Sequence, residues 1–261
     1  MKHIFILIPI LSFGILQACV GDGNSSSNSD TDTDTNADTN GDSDTGPAGF
    51  SPCPTDGSDC KIMPVGDSIT YGEGSSDGGA YRTHLFRKCL TDNKKITFVG
   101  RAADGPNTID GVSFPKNHEG YSGISVDEFI AQQVTGALNA NIPHIFLVHL
   151  GTNDITWKGA EGVSDEMSSL IDILTEKAPD ALVAVAQLVP ISYNPPELTG
   201  YNNDIPGIVA NKVSEGKHVI AVDLHSDFPS DGLGGDGVHP NDKGYEFMGN
   251  TWYEALQEYL P

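Results

Sequence analysis

Apolar and amphipathic stretches alternate along the chain from Lys61 onward. Short, almost fully apolar runs predict strands, and apolar residues spaced three and four apart predict the helices between them. Predicted strands cover 62–65, 96–99, 145–148, 181–189 and 218–222, and predicted helices cover 80–90, 126–138, 163–177, 205–213 and 243–260. Short apolar strands separated by helices indicate a parallel sheet covered on both faces. We therefore predict an α/β fold, a three-layer α/β/α sandwich with about five parallel strands.

The start of the chain has the pattern of an export signal. Residues 4–16 are an apolar stretch of 13 residues, which is the length of a signal-peptide core. The LQAC sequence ending at Cys19 resembles the lipobox of bacterial lipoproteins. This resemblance implies a lipoprotein signal peptide over residues 1–18 and lipidation of Cys19, which would bind the lipid bilayer through its acyl chains. Val20 then favours the outer membrane or the cell surface. The alternative is an ordinary secretory signal, which also predicts export.

The next segment is polar and acidic. Residues 21–49 hold seven Asp and no Lys or Arg. Such a composition cannot bury enough apolar surface to offset its ordering entropy, so residues 19–49 are predicted to be the lipidated Cys and a disordered linker. Calcium binding by the alternating Asp and Asn is an alternative, but no register supplies the Gly and Glu of an EF-hand loop.

Length and charge limit the remaining possibilities. The chain has 261 residues, and Lys+Arg 14 against Asp+Glu 36 gives a net charge of −22. The length suits one sizeable domain, predicted over residues 50–261, and we expect a monomer. The acidity argues against nucleic acid as a partner, because phosphate binding depends on Lys and Arg.

Three cysteines fall within the predicted domain. Cys53 and Cys60 flank a loop rich in Pro, Gly and Asp directly before the first strand, so we predict that they form a disulfide. Cys89 lies in an amphipathic helical stretch and is predicted to be a buried thiol. The alternative pairs Cys89 with one of the other two and leaves the third cysteine free.

Candidate chemistry follows the predicted strands. Ligands of parallel α/β sheets bind beyond the carboxyl ends of the strands. Four motifs stand there in order: Gly-Asp-Ser with Ser68, the HEGYSG sequence ending at Gly123, Gly-Thr-Asn-Asp with Asn153, and Asp236-x-x-His239. Residues 74–78 also match the G-x-S-x-G nucleophile elbow, but they lie in a polar loop without the strand and helix that the elbow needs.

These residue types together can cleave an ester. A serine hydroxyl becomes a nucleophile when a base removes its proton, and His239 is the candidate base for Ser68, oriented by Asp236. The oxyanion of the tetrahedral intermediate needs preset donors. The backbone N–H groups of Ser68 and Gly123 and the side chain of Asn153 are the candidate oxyanion hole. No metal-binding motif occurs and a serine mechanism needs none, so we predict no metal and no cofactor.

The ordered motifs resemble the SGNH (GDSL-type) hydrolases. The sequences MPVGDSITYGEG, FVG, HEGYSG, YNNDIP and DGVHPNDKGY further resemble carbohydrate esterase family 3, over roughly Lys61 to Tyr259. Ala80 departs from the Gly expected before Tyr-Arg. The resemblance implies a flavodoxin-like SGNH hydrolase fold and a secreted acetyl xylan esterase, whose partner is an acetylated polysaccharide.

The same residues are compatible with other functions. The same mechanism could act on pectin, on a peptidoglycan or sialyl O-acetyl ester, or on a short-chain lipid ester. A non-catalytic polysaccharide-binding module at the cell surface is the alternative of a different class. Trp157 could stack on a sugar ring or simply pack in its loop, and Arg82 could hold an acidic partner near Ser68 or be solvated at the surface.

Overall fold

The structure is a computed structural model that describes residues 49–261. The predicted signal peptide, Cys19 and all of the predicted linker except Gly49 lie outside the described residues. Nine strands and seven α-helices occur between residues 49 and 261. The strands are β1 (Cys60–Gly66), β2 (Ile96–Phe98), β3 (Ala102–Ala103), β4 (Thr108–Ile109), β5 (Val112–Ser113), β6 (Asn117–Gly120), β7 (Ile145–His149), β8 (Leu182–Ala186) and β9 (Val219–Val222). The α-helices are α1 (Ser68–Tyr71), α2 (Ala80–Thr91), α3 (Val126–Gln132), α4 (Val134–Ala140), α5 (Val163–Lys177), α6 (Pro196–Ser214) and α7 (Asp242–Leu256).

The central sheet is mainly parallel, as predicted. Its order is β3-β6-β1-β7-β8-β9, and every neighbouring pair is parallel except β3 with β6. Strand β2 also pairs with β1 in parallel, alongside residues 60–62, whereas β6 pairs with the end of β1 at Val65 and Gly66. The short strands β2 and β6 thus share one side of β1. The parallel sheet therefore has five strand positions, which confirms the predicted fold class.

Both faces of the sheet are buried under helices. Alternate residues of each strand point to opposite faces. On β7, Leu147 packs in one apolar cluster with α2 and α7, whereas Phe146 packs in the other with α3, α5 and α6. This arrangement makes the three layers of the sandwich. No helix in the described part of the chain is long and apolar enough to span a bilayer.

Three predicted helices differ from those observed, and one of them, predicted over 243–260, ends at Leu256. The helix predicted over 126–138 is two shorter helices that meet at Gln133. The helix predicted over 205–213 begins earlier, at Pro196, and continues through Pro206. A proline inside a helix has no N–H for the carbonyl four residues before it. Here that carbonyl belongs to Asn202, and it accepts a hydrogen bond of 2.9 Å from Gln187 Nε2 instead.

The loop after β2 contains short strands that the apolar pattern did not predict. Strands β3 to β6 lie within residues 102–120, which are largely polar. Four of these residues, Asn117–Gly120, form β6 and pair partly with β1. The signal was missing because strands of two to four residues are too short to show periodicity.

The cysteine pairing agrees with the prediction. Cys53 and Cys60 form a disulfide with their Cα atoms 5.0 Å apart, which ties the leading segment to the start of β1. Cys89 is a free, buried thiol, and burial raises its pKa to about 12.

Candidate active site

The five predicted site residues lie around one cleft. Its volume is about 540 Å³, and it is lined by Ser68, Glu73, Ser122, Gly123, Thr152, Asn153, Thr156, Trp157, Asp236, Val238 and His239. The cleft lies where β1, β6 and β7 end, because Ser68, Gly123 and Asn153 follow these strands within a few residues. Parallel strands bring residues that are far apart in sequence to this common edge.

Ser68, His239 and Asp236 form a chain of hydrogen bonds. His239 Nε2 lies 2.8 Å from Ser68 Oγ, and His239 Nδ1 lies 2.7 Å from Asp236 Oδ2. The other oxygen of Asp236 accepts from the backbone N–H groups of Val238 and His239, at 2.9 and 3.0 Å. One carboxylate therefore both shapes the loop and holds the imidazole. Partial burial raises the pKa of Asp236, but the hydrogen bonds from the His239 ring and the two backbone N–H groups outweigh it and bring the pKa to about 2.

The turn that presents Ser68 depends on its two preceding residues. Asp67 is fully buried and caps α1, since its Oδ1 accepts from the Ile69 N–H at 2.9 Å. Burial raises the pKa of Asp67 to about 6. Gly66 has no room for a side chain, because a Cβ there would lie 2.3 Å from the carbonyl oxygen of His149. Close contact between β1 and β7 thus requires glycine directly before the Asp-Ser pair.

Three hydrogen-bond donors face the same cleft. Within the described residues, no hydrogen bond uses the backbone N–H of Ser68 or of Gly123. Gly123 has φ +79°, a left-handed conformation that favours glycine. Asn153 Nδ2 donates to the carbonyl of Ile124 at 2.8 Å and carries a second N–H. This set can donate to an oxyanion formed on a carbonyl carbon beside Ser68 Oγ.

Glu73 is a cleft residue to which the sequence assigned no role. Its Oε2 lies 3.4 Å from His239 Nε2, and its Oε1 accepts from the hydroxyl of Ser122. Its backbone N–H donates to the Ser68 carbonyl at 3.0 Å. The carboxylate thus lies beside the imidazole nitrogen that faces Ser68. The only sequence signal was its position five residues after Ser68 in the same loop.

A buried ion pair supports the strand that leads to Gly123. The Glu119 side chain is fully buried on β6 and binds Arg101 through both carboxylate oxygens, with the shortest side-chain contact at 2.8 Å. Glu119 Oε1 also accepts from the Arg101 backbone N–H at 2.7 Å. The hydrogen bond to Glu119 raises the pKa of Arg101. The contacts give Glu119, which belongs to the HEGYSG motif, a structural role beneath the cleft.

We expect Arg101→Ala to lower the free energy of unfolding by about 3 kcal/mol, because it leaves the buried Glu119 carboxylate without its positively charged partner. The hydroxyl of Tyr121 and the backbone N–H of residue 101 still donate to that carboxylate, but neither carries a charge. Arg87→Ala is the matched control, since the Arg87–Asp110 pair is largely exposed, and its loss should cost about 1 kcal/mol or less. Urea unfolding of the two variants checks this prediction. Equal losses in the two variants would contradict it.

Arg82 matches neither of its two sequence interpretations. It is fully buried, and its guanidinium donates to four backbone carbonyls, those of Tyr71, Gly78, Asp104 and Lys116. Tyr71 is the last residue of α1, which begins at Ser68, and Gly78 lies in the loop that follows α1. Arg82 therefore fastens that loop to the segment around Lys116. Sequence reasoning could not find this role because backbone carbonyls leave no residue-type signal.

A group of carboxylates lies behind Asn153. Asp127, Asp154 and Glu166 place carboxylate oxygens within 4.8 Å of one another, the one cluster in residues 49–261 with spacing suited to a cation. Burial, with a smaller contribution from the other two carboxylates, raises the pKa of Asp154 to about 7. Asp154 also accepts from the Val126 N–H at 3.3 Å, which ties the Asn153 loop to α3. We assign no ligand to this acidic cluster.

The fold and the site together define a class of protein. A serine, a histidine and an aspartate are joined in that order beside N–H donors, at the carboxyl edge of a parallel sheet in a three-layer sandwich. This is the arrangement of a serine hydrolase, built here on a three-layer α/β/α sandwich.

Comparison with known proteins gives the family. The GDSL-like Lipase/Acylhydrolase family matches residues 65–247. A multidomain esterase of Ruminococcus flavefaciens is 33% identical over 227 residues, which cover 77% of this chain and 29% of that protein. The family 3 carbohydrate esterase of Clostridium thermocellum is 34% identical with a TM-score of 0.68, covering 76% of this chain and 96% of that structure. A family 3 carbohydrate esterase from Talaromyces cellulolyticus is 26% identical, also with a TM-score of 0.68, and covers 76% and 97%.

The chain belongs to the GDSL-like lipase/acylhydrolase family, and its matched region is a carboxylic ester hydrolase domain. This confirms the family and the enzyme class indicated by the ordered motifs. The chain spans less than a third of the length of the Ruminococcus flavefaciens relative.

Proposed function

We propose that this protein removes O-acetyl groups from a polysaccharide, with acetylated xylan as its substrate. The observation that carries the proposal is the hydrogen-bonded chain of Ser68, His239 and Asp236 in a cleft with oxyanion donors. The likeness to two family 3 carbohydrate esterases, one of them 34% identical, supports a carbohydrate ester as the substrate. The exposed ring of Trp157 in the same cleft supports a sugar as the acceptor.

The proposed first half-reaction transfers the acetyl group to the enzyme. Ser68 Oγ attacks the ester carbonyl carbon while its proton passes to His239 Nε2, and Asp236 stabilises the imidazolium. The oxyanion accepts hydrogen bonds from the N–H groups of Ser68 and Gly123 and from Asn153 Nδ2. The intermediate then breaks the bond between the carbonyl carbon and the sugar oxygen, and His239 returns its proton to that oxygen. The free sugar hydroxyl leaves.

The second half-reaction releases acetate. Water replaces the sugar hydroxyl, and His239 Nε2 takes a proton from the water as its oxygen attacks the acetyl carbon. The same three donors stabilise the second oxyanion. Cleavage of the bond to Ser68 Oγ frees acetic acid, and His239 gives its proton back to the serine. Each step needs only these side chains and water.

Acetate release from acetylated xylan tests the proposal directly. The purified protein should release acetate, and a short-chain aryl acetate should be cleaved as a substrate of low specificity. If the aryl acetate is cleaved but no acetate is released from xylan, the protein is an esterase and xylan is not its substrate. Acetylated pectin and peptidoglycan would then be assayed. No hydrolysis of any acetyl ester, with polysaccharide binding retained, would favour the binding module instead.

We also propose that the protein is exported and anchored to a bilayer by lipid on Cys19. The apolar stretch at residues 4–16 and the LQAC sequence support this proposal. The Cys53–Cys60 disulfide supports export independently, because disulfides persist in oxidising compartments outside the cytosol. The acidic linker over residues 19–49 would give the domain reach from the membrane.

Cys19→Ser should move the protein from the membrane fraction to the soluble exported fraction, because Cys19 is the residue proposed to carry the lipid. Fractionation of a bacterial host and labelling with a radioactive fatty acid check this prediction. Cys89→Ser is the control for loss of a cysteine, and it should stay labelled. Equal labelling of the wild type and Cys19→Ser would rule out lipidation at Cys19.

A further inference from the structure

We propose that Trp157 is a positioning and specificity residue that links the acceptor sugar to the oxyanion hole. Its indole N–H holds the Asn153 amide in the orientation that an oxyanion needs, and its exposed ring receives the sugar that bears the acetyl group. The first role depends only on ester hydrolysis. The second rests on the proposed polysaccharide substrate.

The orientation of the Asn153 amide is fixed from both ends. Trp157 Nε1 donates to Asn153 Oδ1 at 2.9 Å, and Asn153 Nδ2 donates to the Ile124 carbonyl at 2.8 Å. An indole N–H can only donate and a peptide carbonyl can only accept, so these contacts decide which end of the amide is nitrogen. The second N–H of Nδ2 is left for the cleft. A rotated amide would present an oxygen to the oxyanion and repel it.

The ring of Trp157 lies in an unusual place for its size. It is 72% exposed, although Asn153 beside it is only 7% exposed. The other tryptophan, Trp252, is fully buried under the sheet. A Cβ added to Gly123 would lie 3.9 Å from Trp157 Cζ2, so the ring also borders the second oxyanion donor. Core packing does not explain so exposed an aromatic side chain beside two catalytic donors.

The backbone that carries Trp157 is a local exception to α-helical geometry. Asp154–Lys158 form a π-helical turn, closed by a hydrogen bond of 3.1 Å from the Gly159 N–H to the Asp154 carbonyl. Single π-turns are rare and frequently lie at functional sites. Here the turn starts directly after Asn153 and supports the ring at the edge of the cleft.

The two roles are physically connected because one rigid ring performs both. A sugar that packs on the exposed face restrains the indole, and the indole N–H in turn restrains the amide of Asn153. Acceptor binding then improves transition-state stabilisation as well as affinity. Specificity for a sugar ester should therefore appear in kcat in addition to KM.

A double-mutant cycle on an aryl acetate tests the positioning role. Asn153→Ala should lower kcat by about 10²–10³-fold. Trp157→Phe keeps a ring but removes the N–H, and it should lower kcat by roughly 3- to 10-fold with KM unchanged. In the Asn153→Ala background, Trp157→Phe should have almost no further effect on kcat, because the amide that the indole N–H positions is absent. Lys158→Ala, on the same π-helical turn, is the control and should keep the wild-type kcat.

Two outcomes of this cycle would overturn the positioning role. One is a kcat of Trp157→Phe equal to that of the wild type. The other is the same loss from Trp157→Phe with and without Asn153, which would indicate a general disturbance of the turn. Both outcomes are measured on an aryl acetate, which contains no sugar, so they do not depend on whether xylan is the substrate.

Tryptophan fluorescence tests the sugar contact. Xylooligosaccharides without acetyl groups should change the emission of Ser68→Ala, and the change should be absent in Ser68→Ala/Trp157→Phe, because Trp252 is buried. Trp157→Ala should raise KM for acetylated xylooligosaccharides by roughly 10-fold. No emission change and no KM change would overturn the sugar contact. A third outcome is that the wild type releases no acetate from acetylated xylan although the double-mutant cycle on the aryl acetate gives the expected result. That outcome would reject the proposed substrate and leave the positioning role intact.

Discussion

Ser68→Ala is expected to lower kcat for acetyl ester hydrolysis by on the order of 10⁴- to 10⁶-fold, the largest effect of any single substitution proposed for this protein. The variant removes the nucleophile, so no acetyl-enzyme can form. Residual turnover would come from water attack on an ester held by the remaining oxyanion donors. Initial rates of acetate release, with a sensitive assay at high enzyme concentration, measure the loss.

The same variant should fold as the wild type does. The hydroxyl of Ser68 has one described partner, His239 Nε2, and the turn is held by the Asp67 side chain. An unchanged thermal midpoint therefore accompanies the lost activity. Ser76→Ala is the matched control, because Ser76 is the serine of the nearby G-x-S-x-G match, yet it is exposed and its N–H is bound to Asp242. Activity lost in Ser76→Ala and kept in Ser68→Ala would reverse the assignment of the nucleophile.

Asp236→Asn should have the second largest effect, a loss of kcat on the order of 10³- to 10⁴-fold. The oxygen that accepts from the Val238 and His239 N–H groups is kept in asparagine, so the loop keeps its shape. The atom facing His239 Nδ1 becomes an NH₂ group, which donates and forces the ring proton onto Nε2. In that tautomer Nε2 cannot accept the proton of Ser68.

Asp223→Asn is the control that separates loop shape from chemistry. Asp223 Oδ1 accepts from the N–H groups of His225 and Ser226, much as Asp236 caps its own loop. It holds no catalytic ring, so its replacement should leave kcat unchanged. If Asp236→Asn kept near wild-type activity, the Asp236 carboxylate would not be the group that sets the tautomer of His239.

The sequence determined much of the fold because the strands are short and almost wholly apolar. β7 and β8 are buried at every residue, so they appear as the continuous apolar runs that are typical of a covered parallel sheet. Helix α5 was predicted at its observed bounds, Val163–Lys177, since its apolar residues keep one face. Helix α6 was predicted too short, because a proline within a sequence argues against a helix on its N-terminal side. The carbonyl of Asn202 that Pro206 leaves without an N–H is bound instead by Gln187, 15 residues earlier in the chain.

The site also contains residues whose roles the sequence predicted and contacts that it did not predict. Ser68, Gly123, Asn153, Asp236 and His239 could be proposed from sequence because each stands in a motif after a strand, and the structure brings all five to one cleft. The motifs do not contain the contacts of Glu73 with His239, of Arg101 with Glu119, or of Trp157 with Asn153.

By itself, the sequence determined the layers, the parallel sheet and the residues that can cleave an ester, because hydrophobic period and chemical type are local properties of the chain. The tertiary structure alone decided which polar groups face one another across the cleft and beneath it. Those partners are up to 171 residues apart, as His239 and Ser68 are, and only the packing of the helices on the sheet sets their distances. Hydrogen bonds need partners within about 3 Å, and no pattern along the chain specifies that separation.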